Sequence, residues 1–160
     1  MNGAHIHLLL NHVPILGSIF ALCLLLYGIF NKSDDVIKAA LLTLVVTTLV
    51  AIPAFLSGEE AEHLVEPIMG INENAMEEHE DMAEIAFWSM IMSGAVALGT
   101  LVAIRSSKIV SMPMVWINLV ILAVVVFLMV RTGLSGGEIR HTEINVTASP
   151  SPAGGESDED

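Results

Sequence analysis

The sequence predicts an all-α integral membrane protein, a four-helix bundle built from two repeated helical hairpins. Its composition is the first reason: 54% of the 160 residues are hydrophobic, 15% are charged, and the mean hydropathy is +0.71. These values are too apolar for a soluble domain of this length. The second reason is that the apolar residues fall into four runs of about 20, the length that crosses the hydrocarbon core of a bilayer as a helix.

The four apolar runs define the expected domain organisation. One domain, residues 1–146, is expected to contain spans at about residues 8–30, 36–56, 82–104 and 109–130. Short turns at Asn31–Asp35 and Arg105–Lys108 join the spans in pairs, which predicts two helical hairpins. The polar segment 57–81 is expected to be a long loop between the hairpins. The last residues, 147–160, have the composition of a disordered acidic tail.

Charge patterning predicts how the chain lies in the membrane. The 18 acidic residues outnumber six basic ones, so nucleic acid is an unsuitable partner and cations are a natural one. Lys32, Lys38, Arg105 and Lys108 flank the two short turns, whereas the long middle segment has no basic residue. Because basic residues in short loops favour the cytoplasmic side, we expect both turns inside and both termini outside. All six histidines then lie on the outer face.

A short motif is repeated at the ends of the second and fourth spans. Residues 56–63 and 134–141 both read Leu-Ser-Gly-x-Glu-x-x-His. The starts of the first and third spans match more weakly: His7 and His12 are five residues apart, as are His79 and Glu84. We interpret the pattern as a duplicated hairpin whose two copies pack about a pseudo-two-fold axis along the membrane normal.

The repeated Glu-x-x-His motif is typical of a metal site. A Glu and a His three residues apart share a helix face and can offer two ligands to one point. In ferritin-like di-iron bundles two helices supply such a pair and the other two supply one carboxylate each. Here Glu84 would be one carboxylate, and His12 stands where the other would be. The sequence thus predicts a mono- or dinuclear site at the outer mouth for iron or another transition metal, with zinc, copper and manganese as alternatives. The predicted ligands are His12, Glu60, His63, His79, Glu84, Glu138 and His141.

The same symmetry also suits one b-type haem held by two histidines. The ligand pair would be either His63 with His141 or His7 with His79, and local sequence does not distinguish them. Nearby carboxylates would repel the haem propionates but attract a bare cation, which favours the metal. Either cofactor predicts electron transfer or oxidative chemistry. No catalytic residue is assigned, and the sequence leaves open whether the protein is an enzyme.

An alternative from another class is a metal-free accessory subunit of a larger membrane complex. Small residues along the third span would permit the close helix packing that such assembly needs; they are Gly94, Ala95, Ala97 and Gly99. The expected partners are the lipid bilayer, together with a redox partner, a larger membrane complex or further copies of the chain as a homo-oligomer.

Three segments resemble a known family. They are the string Gly136-Gly137-Glu138-Ile139-Arg140-His141, the early His12-Val13-Pro14, and the segment around His79 ahead of the third span. Together they are similar to small bacterial four-span membrane proteins akin to domain-of-unknown-function family 2231. The resemblance covers most of residues 1–144. It implies a four-helix fold in the bacterial cytoplasmic (inner) membrane, and it implies no particular activity.

Overall fold

The computed structural model describes residues 3–65 and 73–138, and this part of the chain is almost entirely helical. Asn11 separates the first two helices but keeps a right-handed helical backbone, and its N–H donates to the His7 carbonyl at 2.8 Å. The first two helices therefore form one nearly continuous span. The helices are α1 (Gly3–Leu10), α2 (His12–Phe30), α3 (Asp34–Val65), α4 (Glu73–Ser107) and α5 (Met112–Glu138).

Four helical segments are long and apolar enough to cross a membrane, by length and composition. They are His5–Phe30, Asp34–Gly58, Met76–Ser107 and Met112–Gly137. The predicted all-α, multi-pass membrane fold is thereby confirmed. In the bundle α3 packs between α2 and α4, and α5 packs between α4 and α2, so the four spans close into a ring.

The bundle is apolar both inside and outside. Its centre is filled by side chains from every span, among them Leu25, Leu41, Met90 and Leu122, none more than 1% exposed. Large apolar side chains also cover the outer surface of each span; examples are Phe20, Leu49, Leu98 and Phe127. An apolar surface on every side of the bundle is what a lipid solvent requires and what water disfavours.

Both hairpin turns place a lysine in the left-handed backbone region. Lys32 has φ 52° and Lys108 has φ 58°. After α2 the chain reverses tightly: Ser33 N–H donates to the Gly28 carbonyl at 2.9 Å, the bond that closes a Schellman motif. A Cβ on Gly28 would lie 2.9 Å from Ile37 Cγ1, so only glycine permits this approach. We call this end of the molecule the turn end, and the end that carries His7 and His79 the histidine end.

The polar segment 57–81, predicted as a loop, is helical at both of its ends. α3 continues to Val65 and α4 already begins at Glu73. The Glu, Ala and Met residues of this segment are good helix formers, so the helices extend beyond their apolar parts. Pro53 does not end α3. The break at Asn11 lies one turn before Pro14, which has no N–H to donate to the Leu10 carbonyl.

The middle of α3 is held closely on two sides. A Cβ on Gly17 of α2 would fall 2.5 Å from the Thr47 side-chain oxygen, and one on Gly94 of α4 would overlap the Thr48 side chain. Two neighbouring threonines of α3 thus fill the space opposite a glycine on each adjacent span. Such small-residue contacts let membrane helices pack closely.

Candidate functional site

Two histidines contact the end of the next span in the same way. His7 of α1 places Nδ1 3.0 Å from the Ala54 carbonyl oxygen of α3. His79 of α4 places Nδ1 3.1 Å from the Thr132 carbonyl oxygen of α5. A carbonyl oxygen only accepts, so in both rings Nδ1 carries the proton and donates it. The lone pair of each neutral imidazole is then on Nε2.

A serine completes the hydrogen bonding at both carbonyls. Ser57 Oγ donates to the Ala54 carbonyl at 3.0 Å, and Ser135 Oγ donates to the Thr132 carbonyl at 3.0 Å. Ser135 Oγ also lies 3.0 Å from His79 Nδ1, so this ring has two acceptors where the structure records one for His7. The serine of each repeated Leu-Ser-Gly string therefore fixes the carbonyl that orients a histidine.

A glycine lies against each ring. A Cβ on Gly58 would be 3.5 Å from His7 Cε1 and Nδ1, which is ordinary van der Waals contact. A Cβ on Gly136 would be only 3.0 Å from His79 Cε1 and 3.3 Å from Nδ1. The glycines of the two strings thus leave the space that the imidazoles occupy, and the His79 side is the tighter of the two.

His7 and His79 lie at the same end of the bundle, within electrostatic range of each other. Both are half-buried, and His7 and His79 interact electrostatically although 72 residues separate them in the chain. They come from the first and third spans, which are diagonal in the ring, and α1 and α4 both pack on α3. The fold therefore brings two oriented histidines together at one end of the bundle.

Of the seven predicted metal ligands, the structure describes the side chains of three, His12, His79 and Glu84. His12 is exposed and donates from Nδ1 to the side-chain oxygen of its neighbour Asn11, and Glu84 is also exposed. Throughout the described ranges, no three His, Cys, Asp or Glu residues come together as a metal-binding group. The helical backbone is described at Glu60, His63 and Glu138, but their side chains, like the whole of His141, lie outside the described residues.

Several acidic residues lie on α4 close to His79 in sequence, and they face outward. Glu77, Glu78, Asp81 and Glu84 are all exposed. Glu80 is exposed as well but acts electrostatically on His79, so solvent reduces the effect of the α4 carboxylates on that imidazole without removing it.

The backbone carbonyls that orient the rings were missed by sequence reasoning. No residue type marks Ala54 or Thr132 as an acceptor. A signal was nevertheless present, because each lies three residues before the serine of a repeated string, one helical turn away. No family model, curated protein or solved structure matches this chain.

Proposed function

We propose that this protein is a membrane-embedded electron carrier of the b-type haem class, in which His7 and His79 would hold one haem at the histidine end. The observation that carries the proposal is the paired hydrogen bond from Nδ1 to a backbone carbonyl. Histidines that ligate iron almost always donate their other ring N–H in this way, because the bond fixes the tautomer and the ring orientation.

Ligand number favours haem over a bare metal ion. A porphyrin supplies four nitrogen atoms to its iron, so two imidazoles complete the coordination. A bare transition-metal ion needs three or four protein ligands. Across residues 3–65 and 73–138 the side chains that the structure describes offer no such group. His7 and His79 are enough for haem, whereas an ion alone would need further ligands. The candidates for these have side chains outside the described residues; they are Glu60, His63, Glu138 and His141.

Small residues lie beside the two imidazoles: glycines at 58 and 136, and a serine at 135. Exposed carboxylates such as Glu77, Glu78 and Glu84 would repel haem propionates less strongly through water than buried ones would. Haem alternates between two oxidation states of iron, which supplies one-electron transfer.

The duplication of the hairpin is part of the same proposal. His7 with Ala54 and His79 with Thr132 use the same atoms, and each acceptor is backed by the serine of a Leu-Ser-Gly string. Two copies of one hairpin about a central axis would present a matched histidine to each face of a planar ligand. The contacts support this interpretation more directly than the sequence repeat does.

The test is an absorption spectrum of detergent-purified protein, made without a histidine tag in cells supplied with haem precursor. We expect a Soret band and a reducible α-band with one haem per chain. His7→Ala and His79→Ala should each lose these bands. His12→Ala is the matched control, because His12 is exposed on the same span and bonded to Asn11, and it should keep them.

A bare metal held by the Glu-x-x-His pairs remains the rival proposal. It predicts stoichiometric iron, copper, zinc or manganese by elemental analysis, no haem bands, and loss of metal in the double variant Glu60→Ala, Glu138→Ala. If the purified protein shows no haem bands and contains no stoichiometric metal, both proposals are contradicted. The accessory-subunit alternative would then be favoured. Equal loss of haem in His12→Ala would contradict the assignment of the ligand pair.

A further inference from the structure

A groove runs between α3 and α4 at the turn end, away from the two histidines. Its volume is about 520 Å³, and it is open to the outside of the bundle. It combines charged residues near the turn with apolar residues along the spans. The residues used here are Lys38, Leu42, Leu101, Ile104, Arg105 and Lys108.

The charged part of the groove has an excess of positive charge. Lys38 is paired with Asp35 at 3.0 Å, on the exposed surface of α3. Arg105 and Lys108 are exposed, and no carboxylate of the described chain lies within 4.0 Å of either. The positive charge of this part of the groove contrasts with the net charge of −12 of the whole protein.

The backbone fixes where these cations lie. Arg105 is in the last turn of α4, and Lys108 follows in the left-handed conformation with its N–H donating to the Ile104 carbonyl at 2.7 Å. The chain then turns into α5. Lys108 is therefore held beside the groove by a defined turn and does not extend from a free loop.

The apolar part of the groove is continuous with the lipid-facing surface. Leu42 of α3 is 57% exposed and Leu101 of α4 is half-buried. Ile104, which is buried, also lines the groove. The groove has charged residues near the turn and apolar residues along the spans. This arrangement suits an amphipathic ligand. A phosphate alone would leave the apolar residues uncovered.

We propose that this groove binds one anionic phospholipid. Arg105 and Lys108 bind the headgroup phosphate, Arg105 with two parallel N–H donors and Lys108 as a point charge. An acyl chain lies along Leu42 and Leu101. Basic pockets between membrane helices near the bilayer surface suit such lipids, because the membrane supplies the ligand already oriented. The site is independent of any cofactor at the histidine end.

The test is native mass spectrometry of the detergent-purified protein mixed with dioleoyl phosphatidylglycerol or dioleoyl phosphatidylcholine, which have the same acyl chains. We expect one tightly retained phosphatidylglycerol and no retained phosphatidylcholine. Arg105→Gln with Lys108→Gln should lower phosphatidylglycerol retention about tenfold or more. Glycerol phosphate, which has the headgroup and no chains, should not compete.

The matched control removes two charges elsewhere, with Lys32→Gln and Arg131→Gln. Lys32 shares the exposed left-handed turn position of Lys108, on the other hairpin, so the control keeps net charge and turn geometry comparable. A second variant, Leu42→Trp, blocks the apolar part with all cations in place and should also lower retention. Equal retention of both lipids, equal loss in both charge variants, or competition by glycerol phosphate would overturn the proposal.

Discussion

His7 and His79 make the same kind of hydrogen bond, but the space between each ring and its neighbouring glycine differs. The glycine beside His7 leaves ordinary contact distance for a methyl group, whereas the glycine beside His79 leaves 3.0 Å to Cε1. About half an ångström at this distance is the difference between ordinary packing and a contact that forces the neighbour to shift. The His79 side should therefore be the more sensitive half of the site.

Gly136→Ala tests that sensitivity. The new Cβ would overlap the His79 ring, move it away from Thr132 and Ser135, and misdirect Nε2. We expect haem affinity to fall about tenfold or more, the usual cost of disturbing groups that orient a ligating histidine. Titration of the apoprotein with haemin, followed at the Soret band, gives the affinity.

Gly58→Ala is the control for this prediction. Its Cβ would meet His7 at 3.5 Å, so haem affinity should stay close to that of the unaltered protein. If Gly58→Ala weakens haem as much as Gly136→Ala does, the local geometry described for the two rings does not govern binding.

The pairing of His7 with His79 could be suggested from the sequence, but the hydrogen bonds that orient the two rings could not. His7 with His79 was one of two haem pairs suggested by the repeat, and the metal site with Glu60 and Glu138 was preferred. What the sequence lacked was the acceptor for each ring, because a backbone carbonyl has no residue type. The exposure of His12 and Glu84 was equally hidden, since half a turn of rotation about the helix axis separates an inward from an outward side chain.

At the scale of the helix, α3 packs against α2 and α4 so closely that no room is left for a methyl group on the facing glycines. Gly94 of α4 faces Thr48, whose side chain occupies the volume a methyl group would need. Thr48 Oγ1 is committed to the Leu44 carbonyl at 2.9 Å. This hydrogen bond favours the present rotamer of Thr48 even when the opposite helix is substituted.

Gly94→Ala should lower the free energy of unfolding by about 1–3 kcal/mol, the cost of overpacking a close interface. Unfolding in mixed micelles of increasing denaturing detergent measures it. Gly99→Ala is the control on the same helix, because nothing lies within 4 Å of a Cβ there. It should leave stability unchanged or raise it by up to about 1 kcal/mol through helix propensity. Equal destabilisation by both variants would contradict the close contact.

The spans were predictable because a bilayer imposes length and composition on every crossing segment. The helix ends were not. α3 and α4 run past their apolar parts into the acidic segment, and only the local helix propensity of that segment could have indicated it. The break at Asn11 follows from Pro14, since the carbonyl that lacks its hydrogen bond lies one turn before the proline.

For the whole molecule, the distribution of charge predicts orientation. Four basic residues gather at the turn end, and the histidine end has the exposed acids of α4. The turn end should face the cytoplasm. In a Cys23→Ala background, a membrane-impermeant maleimide applied to cells with an intact inner membrane should label Glu77→Cys and leave Ser106→Cys unlabelled.

Permeabilising the inner membrane should then allow Ser106→Cys to react. Labelling of Ser106→Cys alone in intact cells would reverse the orientation. Labelling of both positions from one side would contradict a bundle in which the two residues lie at opposite ends.

The two glycine contacts at the centre of α3 also limit how the molecule can move. Sliding α3 along its axis by one residue, about 1.5 Å, would carry Thr47 and Thr48 away from Gly17 and Gly94 and against larger neighbours. Because these contacts act on two faces of α3 at once, they oppose a piston-like displacement of α3 between the two membrane surfaces. A tilt of α3 about the threonine pair would disturb the same contacts less, and it would move the two ends of the helix in opposite directions.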